Sequence, residues 1–189
     1  MCDLFLKNLR DHQALFERLP GLSSVIDQAI NICSGCLKDG KKIMICGNGG
    51  SASDSQHLAA EFIGRFVKDR SALPAIALTT DTSILTCLGN DYSFEDIFSR
   101  QVSGLGLKGD CIVGISTSGN SRNVIKAIMI AKQKGMHSIG LLGGDGGELS
   151  KICECNIIVP DITTARIQEA HILIGHTICG GGEKNLGFF

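Results

Sequence analysis

Five short apolar runs alternate with stretches of helical periodicity between residues 42 and 160, and this alternation limits the folds open to the chain. The runs are KIMIC (42–46), AIALTT (75–80), CIVGIST (111–117), SIGLLG (138–143) and NIIVP (156–160). Strands that are apolar on both faces and separated by helices indicate a parallel sheet covered on both sides. We therefore expect an α/β fold.

The segments around these strands have the apolar spacing of helices. Between the strands we predict helices at 52–68, 94–105, 121–134 and 146–152, followed by a last helix at 163–179. Two further helices, at 4–18 and 22–38, are separated by Leu19-Pro20-Gly21. A length of 189 residues suits one domain. We expect a single domain over 1–189, with an N-terminal helical segment of about 1–38.

Charge and composition exclude several classes of partner. The net charge is −1 and there is no block of basic residues, so we expect no nucleic-acid partner. Because there is no apolar run of membrane-spanning length, we also expect no membrane partner. The N-terminus is charged and amphipathic, unlike a signal peptide.

Cysteine usage favours a reducing compartment. The chain has nine cysteines, an odd number, and several lie in apolar runs, as Cys46 and Cys111 do. This pattern is typical of reduced thiols that serve as small apolar side chains. The pairs Cys33-x-x-Cys36 and Cys153-x-Cys155 lack the matched spacing of a zinc ribbon.

The loops at the carboxyl ends of the strands are where a parallel sheet binds ligands. They are predicted at 47–52, 80–91, 116–121 and 143–147. The first is rich in glycine and precedes a helix, whose free N–H groups suit an anion. The third carries four hydroxyls before another helix, which Ser121 could cap. This clustering favours a phosphate site, while Asn90-Asp91 in the second loop could bind sugar hydroxyls or form only a turn.

A dinucleotide site is the alternative reading of the first loop. Gly47-x-Gly49-x-x-Ala52 fits the loose G-x-G-x-x-G/A pattern after a strand. However, Asp81 follows the loop by more than 30 residues, whereas the acidic residue of such sites comes about 20 residues on. A dinucleotide site also leaves the hydroxyl-rich loop without a role.

Two predicted helices carry polar residues of the kinds used in catalysis. His57 and Glu61 are four residues apart and share a helical face, either as a solvated pair or as part of a site. In the last helix Gln168 and His176 are about two turns apart, and His171 lies between them. These residues can form one catalytic site only if the two helices meet in space. The sequence alone does not show whether they do.

Four segments together resemble a known family. CGNGGSASDSQHLAAEF, GNDYSFEDIFSRQV, GISTSGNSRNVIKAI and ARIQEAHILIGH are similar to the phosphoheptose isomerases, which are sugar isomerase (SIS) domain proteins. The resemblance runs from about residue 5 to residue 180. It implies a flavodoxin-like, three-layer α/β/α sandwich with five parallel strands, a homotetramer and a bacterial cytoplasmic location. The implied reaction converts sedoheptulose 7-phosphate to D-glycero-D-manno-heptose 7-phosphate, the entry step to ADP-heptose for lipopolysaccharide core or other surface glycans.

The resemblance also assigns roles to residues. Catalytic acid/base positions are Glu61 and His176. The resemblance implies one zinc ion per subunit, with the ligands His57, Glu61, Gln168 and His176. Substrate-binding positions, those that grip the phosphate included, are Asn48, Gly49, Gly50, Ser51, Asn90, Asp91, Ser116, Thr117, Ser118, Ser121 and Gln168.

Two other functions share this fold. One is a non-catalytic SIS-domain regulator that binds the replication initiator DnaA, and the other is an isomerase of a different phosphosugar. Having both Glu61 and His176 favours an enzyme, because a binding module has no need of the pair. The tail GGGEKNLGFF departs from relatives that extend the last helix. This departure predicts that the last helix ends after Cys179, one turn beyond His176, so that fraying could disturb the placement of His176 or the tetramer contacts.

Overall fold

One parallel sheet forms the centre of the computed structural model, which describes residues 3–188. Its strands are β1 (Ile43–Gly47), β2 (Ala75–Ala77), β3 (Cys111–Ser116), β4 (His137–Gly143) and β5 (Cys155–Val159). The order across the sheet is β2-β1-β3-β4-β5, and every pairing is parallel. All five predicted strands are therefore confirmed, with β2 shorter than predicted.

Helices precede, connect and follow these strands. They are α1 (Asp3–Phe16), α2 (Ser23–Lys38), α3 (Gly50–Ile63), α4 (Thr82–Asp91), α5 (Ser99–Leu105), α6 (Arg122–Gln133) and α7 (Thr164–Asn185). Short 3-10 turns occur at Leu19–Leu22, Phe94–Asp96 and Leu149–Lys151. The first of these turns contains Pro20 and joins the two predicted N-terminal helices.

The strands bury side chains on both faces, and each face packs against its own layer of helices. Ile43 and Ile45 of β1 belong to a core shared with α1, α2, α3 and α7. Met44 and Cys46 point to the other face, where the core includes residues of α4, α5 and α6. This alternation follows from the two-residue period of a strand. The three-layer α/β/α sandwich is thus confirmed.

Four predicted segments differ in the structure. The helix predicted at 52–68 ends at Ile63, and the helix predicted at 94–105 is a 3-10 turn at Phe94–Asp96 followed by α5 at Ser99–Leu105. The predicted loop 80–91 is mostly helix α4, because the carboxylate of Asp81 accepts a hydrogen bond of 2.9 Å from Ile84 N–H and caps the helix. The predicted helix 146–152 is only a 3-10 turn at Leu149–Lys151. Gly146 and Gly147 have positive φ values of 82° and 52°, which a helix does not accommodate.

The last helix is longer than predicted. It continues to Asn185, through the glycine-rich tail that was expected to end it near residue 179. The glycines permit close packing rather than breaking the helix: a Cβ on Gly181 would lie 2.5 Å from Cδ1 of Ile30 on α2. Glu183, farther along, is completely buried. His176 therefore lies well inside α7, and the expected early end was wrong.

The cysteines are mostly core residues. The eight cysteines within residues 3–188 are free, and all except Cys87 are buried, while Cys2 lies outside the described residues. Burial raises the pKa of Cys36 and Cys153 to about 12, which keeps these thiols protonated. Among residues 3–188, no helix combines the length and apolarity needed to cross a membrane.

Candidate active site

Three loops lie together beyond the carboxyl ends of β1, β3 and β4. The strands are aligned so that Gly47 at the end of β1 pairs with Ile115, and Ser116 at the end of β3 pairs with Leu142. The loops that follow are the glycine loop (residues 47–50), the hydroxyl loop (residues 116–121) and the bracing loop (residues 143–148). These loops lie together at the carboxyl end of the sheet, which is where parallel α/β sheets bind ligands.

The glycine loop turns the chain from β1 into α3, and at Gly47 there is no room for a side chain. A Cβ on Gly47 would lie 2.8 Å from both Cβ and the backbone oxygen of Ser51. Gly49 has φ +56° and its carbonyl accepts hydrogen bonds from Ala52 and Ser53, which begins the helix. The loop therefore presents bare backbone beside the N-terminus of α3.

The hydroxyl loop leads from β3 into α6. Oγ of Ser116 and Oγ of Ser121 share a hydrogen bond of 2.9 Å. Ser121 occupies the N-cap position, but its hydroxyl does not cap the helix. The N-terminus of α6 is thus free of a Ser121 side-chain cap, and the exposed Ser118 and half-exposed Thr117 precede it. Hydroxyls and a positive helix end are combined at one place.

The bracing loop holds the hydroxyl loop in its shape. Gly119 has φ +66°, and a Cβ there would lie 2.0 Å from the carbonyl oxygen of Gly146. Its own carbonyl accepts a 3.0 Å hydrogen bond from Leu149 N–H. The Asn120 side-chain oxygen accepts another from Glu148 N–H, also 3.0 Å. Backbone-to-backbone packing of this kind leaves the hydroxyl loop little freedom.

A pair of asparagines connects the glycine loop to α6. The Asn48 amide donates to Oδ1 of Asn123 at 2.9 Å, and the Asn123 amide donates to Oδ1 of Asn48 at 2.8 Å. Asn123 is buried. The two candidate ligand-binding loops are therefore coupled through these side chains. Sequence reasoning missed Asn123, whose partner is 75 residues away.

Helices α3 and α7 meet and bring three of the predicted residues together. Nε2 of His57 lies 3.1 Å from Oε1 of Glu61 and 3.3 Å from Nε2 of His176. The helices approach closely at Gly175, where a Cβ would lie 2.6 Å from Leu58. The meeting that the sequence left open thus occurs, and we call His57, Glu61 and His176 the three-residue cluster.

The cluster fits a zinc ion by donor type and by spacing. Its imidazole nitrogens and carboxylate oxygen all lie within 4.8 Å of one another. These are donors that zinc prefers, and tetrahedral bonds of about 2.0–2.1 Å would separate two ligand atoms by roughly 3.3 Å. The two separations from Nε2 of His57, 3.1 and 3.3 Å, match that value, and the third pair of ligand atoms lies within 4.8 Å.

Comparison with known proteins decides the family. Residues 8–143 match the SIS domain. The chain is 56% identical to the phosphoheptose isomerase of Nitratiruptor sp. over 174 residues, 92% of this chain and 93% of that protein. It is 52% identical to the phosphoheptose isomerase of Campylobacter jejuni serotype O:6, covering 95% and 96%.

The chain belongs to the SIS-domain phosphoheptose isomerase family.

Solved structures of the family agree. The phosphoheptose isomerase of Neisseria gonorrhoeae superposes with a TM-score of 0.86 at 45% identity, covering 95% of each chain. That of Francisella tularensis superposes with a TM-score of 0.90 at 37% identity, covering 97% of this chain and all of the other. The resemblance inferred from four segments therefore extends over nearly the whole sequence.

Gln168 and His171 occupy different environments in this phosphoheptose isomerase family member. A Cβ on Gly50 would lie 2.4 Å from Nε2 of Gln168, so the Gln168 amide rests on the glycine loop. His171 is buried, with its Nε2 3.0 Å from the carbonyl oxygen of Leu142. Burial lowers the pKa of His171 to about 4, which keeps the ring neutral and indicates a packing role.

Asn90 and Asp91 lie at the end of α4 and are exposed. Asn90 donates a 2.8 Å hydrogen bond to Asp91. Within residues 3–188, neither side chain makes a hydrogen bond to the three loops or to the three-residue cluster. Their role in substrate binding stays a prediction, since no contact among the described residues brings them to the loops or the cluster.

Asp54 is a polar neighbour of the three-residue cluster that sequence reasoning missed. It lies on α3, one turn before His57, and its Oδ2 is buried without a hydrogen-bond partner among the described residues. Partial burial raises its pKa, while the nearby His57 has the opposite effect. The D-x-x-H spacing of DSQH, which places both on one helical face, was the available signal. Asp54 therefore adds a partly buried carboxylate beside His57 of the three-residue cluster.

Proposed function

We propose that the chain isomerises sedoheptulose 7-phosphate to D-glycero-D-manno-heptose 7-phosphate, as the entry step to ADP-heptose for surface glycans. The observation that carries the proposal is the meeting of α3 and α7, which assembles an acid/base cluster next to a phosphate-type loop system. A DnaA-binding module does not require this cluster. Family membership supports the heptose substrate over other phosphosugars.

The size of the site suits a seven-carbon sugar phosphate. Gln168 marks one end, where α7 touches Gly50, and His176 marks the other, where α7 touches His57. With a rise of 1.5 Å per residue, His57 lies about 10 Å along α3 from Gly50. An extended heptose phosphate can therefore place its phosphate at the loops and its C1 and C2 near the cluster.

The phosphate end is held by the hydroxyl loop and the N-terminus of α6. Ser116, Thr117, Ser118 and Ser121 offer hydroxyls, while the first turn of α6 offers N–H groups and the positive end of its dipole. Asn48 contributes from the glycine loop, and Ser51 contributes from the first turn of α3. Binding energy gained far from C1 and C2 orients these atoms for reaction.

The reacting end moves one proton between carbons and one between oxygens. Glu61 removes a proton from C1 of the ketose as His176 donates a proton to O2, which yields the enediol. Glu61 then returns the proton to C2, and His176 takes the proton from O1, leaving the C1 aldehyde. Each residue ends the cycle in its starting protonation state. A positioned acid/base group typically contributes about 10²- to 10⁴-fold in rate.

We also propose one zinc ion per subunit, held by His57, Glu61, Gln168 and His176. When bound, zinc polarises the substrate carbonyl as a Lewis acid. The three-residue cluster supports this assignment through its donor set and spacing. A carboxylate that ligates a metal is a weaker base, and an imidazole nitrogen that ligates a metal carries no proton to donate. The ligand and acid/base roles of Glu61 and His176 therefore compete, and metal removal separates them experimentally.

Homotetramer formation in the cytoplasm completes the proposal. The side chains of Leu4, Phe5, Leu6 and Leu9 on α1 are between 41% and 66% exposed, which supports an interface between subunits. Free, buried cysteines support a reducing compartment. Light scattering coupled to gel filtration measures the oligomeric state, and a monomer at micromolar concentration would contradict a tetramer.

Proton NMR of sedoheptulose 7-phosphate in D₂O with the purified protein tests the function. We expect new aldose signals, with deuterium at C2 wherever the abstracted proton exchanges. Glu61→Gln and His176→Gln should each lower kcat by at least about 100-fold.

His137→Gln provides the matched control, because His137 is an exposed histidine paired with Glu154 at the start of β4. It should retain full activity. An unchanged spectrum from the zinc-loaded tetramer would overturn the proposed function in favour of a regulatory binding module.

A further inference from the structure

Arg70 and Glu183 form a completely buried ion pair close to the helix segments that carry the three-residue cluster. Nε of Arg70 lies 2.6 Å from Oε1 of Glu183, and the two side chains are 1% and 0% exposed. Removing two charges from water is costly unless their remaining hydrogen-bonding groups are also satisfied. Glu183 meets this condition, because it also accepts hydrogen bonds from the backbone N–H groups of Phe66 (3.0 Å) and Val67 (3.5 Å).

The rest of the Arg70 guanidinium holds the end of α3. Nη2 donates to the carbonyl of Glu61 and Nη1 to that of Phe62, both at 2.8 Å. Nη1 also donates to the Ser71 carbonyl at 2.9 Å. The last carbonyls of a helix have no partner within the helix, and a cation there complements the helix dipole. Arg70 thus fixes the backbone of Glu61 itself.

Glu183 lies on α7, the helix that carries His176, so the ion pair also links Arg70 to that helix. Glu183 and His176 are seven positions apart on α7, about two turns, so they lie on similar faces. Phe66, whose N–H donates to Glu183, places its ring 5.3 Å from the ring of His176. The ion pair therefore joins the segment after α3 to the α7 turns that follow His176.

We propose that Arg70 and Glu183 are positioning residues that set the separation of Glu61 and His176. Neither is part of the three-residue cluster; they act by holding the two helix segments that carry it. This inference rests on the proposed function. It predicts that loss of the pair weakens zinc binding and slows the chemical step, beyond any loss of stability.

The variants are chosen to separate position from stability. Arg70→Lys keeps the charge but loses the planar fork that reaches several carbonyls. The double variant Arg70→Met/Glu183→Gln removes both charges together, so no unpaired buried charge remains. Lys42→Met/Asp110→Asn is the matched control. Its ion pair is also largely buried, with a fully buried Asp110, but precedes β1 and β3 at the opposite edge of the sheet.

Three measurements are made on each zinc-loaded protein. Zinc affinity is measured by competition with a chromogenic chelator, kcat and KM are measured with sedoheptulose 7-phosphate, and stability is measured by thermal unfolding. Both Arg70 variants should lose about 10- to 100-fold in zinc affinity and in kcat, as expected for residues that orient metal ligands. KM should stay within about twofold because the phosphate loops are unchanged. The control should keep wild-type zinc affinity and kcat.

The outcomes distinguish the two proposals. If the double variant keeps wild-type zinc affinity and kcat, the pair serves stability alone and the inference is overturned, while the proposed function stands. If Arg70→Lys fails to fold, the double variant still decides. If the wild-type protein binds zinc but does not turn over the heptose phosphate, the substrate is wrong. A loss of zinc affinity in the Arg70 variants then still supports their positioning role.

Discussion

Acidification should destabilise the protein through His171 before most carboxylates titrate. The ring is buried, and its Nδ1 has no hydrogen-bond partner among the described residues. Burial lowers its pKa from 6.5 to about 4. Because the folded-state pKa lies below the unfolded-state value, the unfolded chain binds the extra proton between pH 6.5 and 4. The contribution is therefore complete above pH 6.5 and is lost as the pH falls towards 4.

The size of the effect follows from the two pKa values. Between pH 7.5 and pH 5, a shift from 6.5 to about 4 removes about 2 kcal/mol from the free energy of unfolding. For a chain of this length, that corresponds to a fall in Tm of about 4–8 °C attributable to His171.

The assay compares Tm at pH 7.5 and pH 5 for the wild type, His171→Gln and His137→Gln at one protein concentration. His171→Gln keeps a donor but cannot titrate, so its Tm should fall about 4–8 °C less than that of the wild type. His137→Gln removes an exposed histidine and should behave as the wild type does. An equal acid-induced fall in the wild type and His171→Gln would refute the reasoning.

Three further predictions concern the loops and the metal. Gly119→Ala should lower the free energy of unfolding by at least about 1 kcal/mol and raise KM, because φ at Gly119 is +66° and the new Cβ would meet the Gly146 carbonyl. Urea unfolding and steady-state kinetics measure the two effects. The control is Gly21→Ala, whose Cβ would meet nothing within 4 Å and which should leave KM unchanged. In Gly50→Ala the new Cβ should displace the Gln168 amide. We expect kcat/KM to fall about tenfold, which corresponds to the loss of one strong hydrogen bond, with no change in the free energy of unfolding. Dialysis against a chelator should abolish isomerisation, with recovery on added zinc but not magnesium; full activity of metal-free protein would contradict the zinc assignment.

The sheet and its helices were predictable because their signals are local. Apolar runs such as CIVGIST and SIGLLG are buried on both faces in any parallel sheet, so the pattern survives without knowledge of the neighbours. The errors occurred where tertiary contacts override local preference. The tail after Cys179 reads as a helix break, yet its glycines let α7 pack against Ile30. Residues 80–91 read as a loop because the Asp81 cap was not recognised.

The candidate site divides in the same way. The glycine loop and hydroxyl loop were visible as compositions at strand ends, and the i, i+4 spacing of His57 and Glu61 is a property of one helix. Asp54 was available by the same spacing and was missed. Asn123 and Glu183 carried no local signal, since their partners lie 75 and 113 residues away.

The sequence by itself determined the parallel α/β layering, the chemistry of the two loops and the faces on which His57, Glu61 and His176 stand. These properties depend on periodicities of two and 3.6 residues, which are set by the backbone of each element. Only the tertiary structure decided that α3 meets α7. Gly175 packs against Leu58 where the helices approach, and the buried Arg70–Glu183 pair links the segment after α3 to α7. The separation of two helices is set by long-range packing of side chains, which no local pattern encodes.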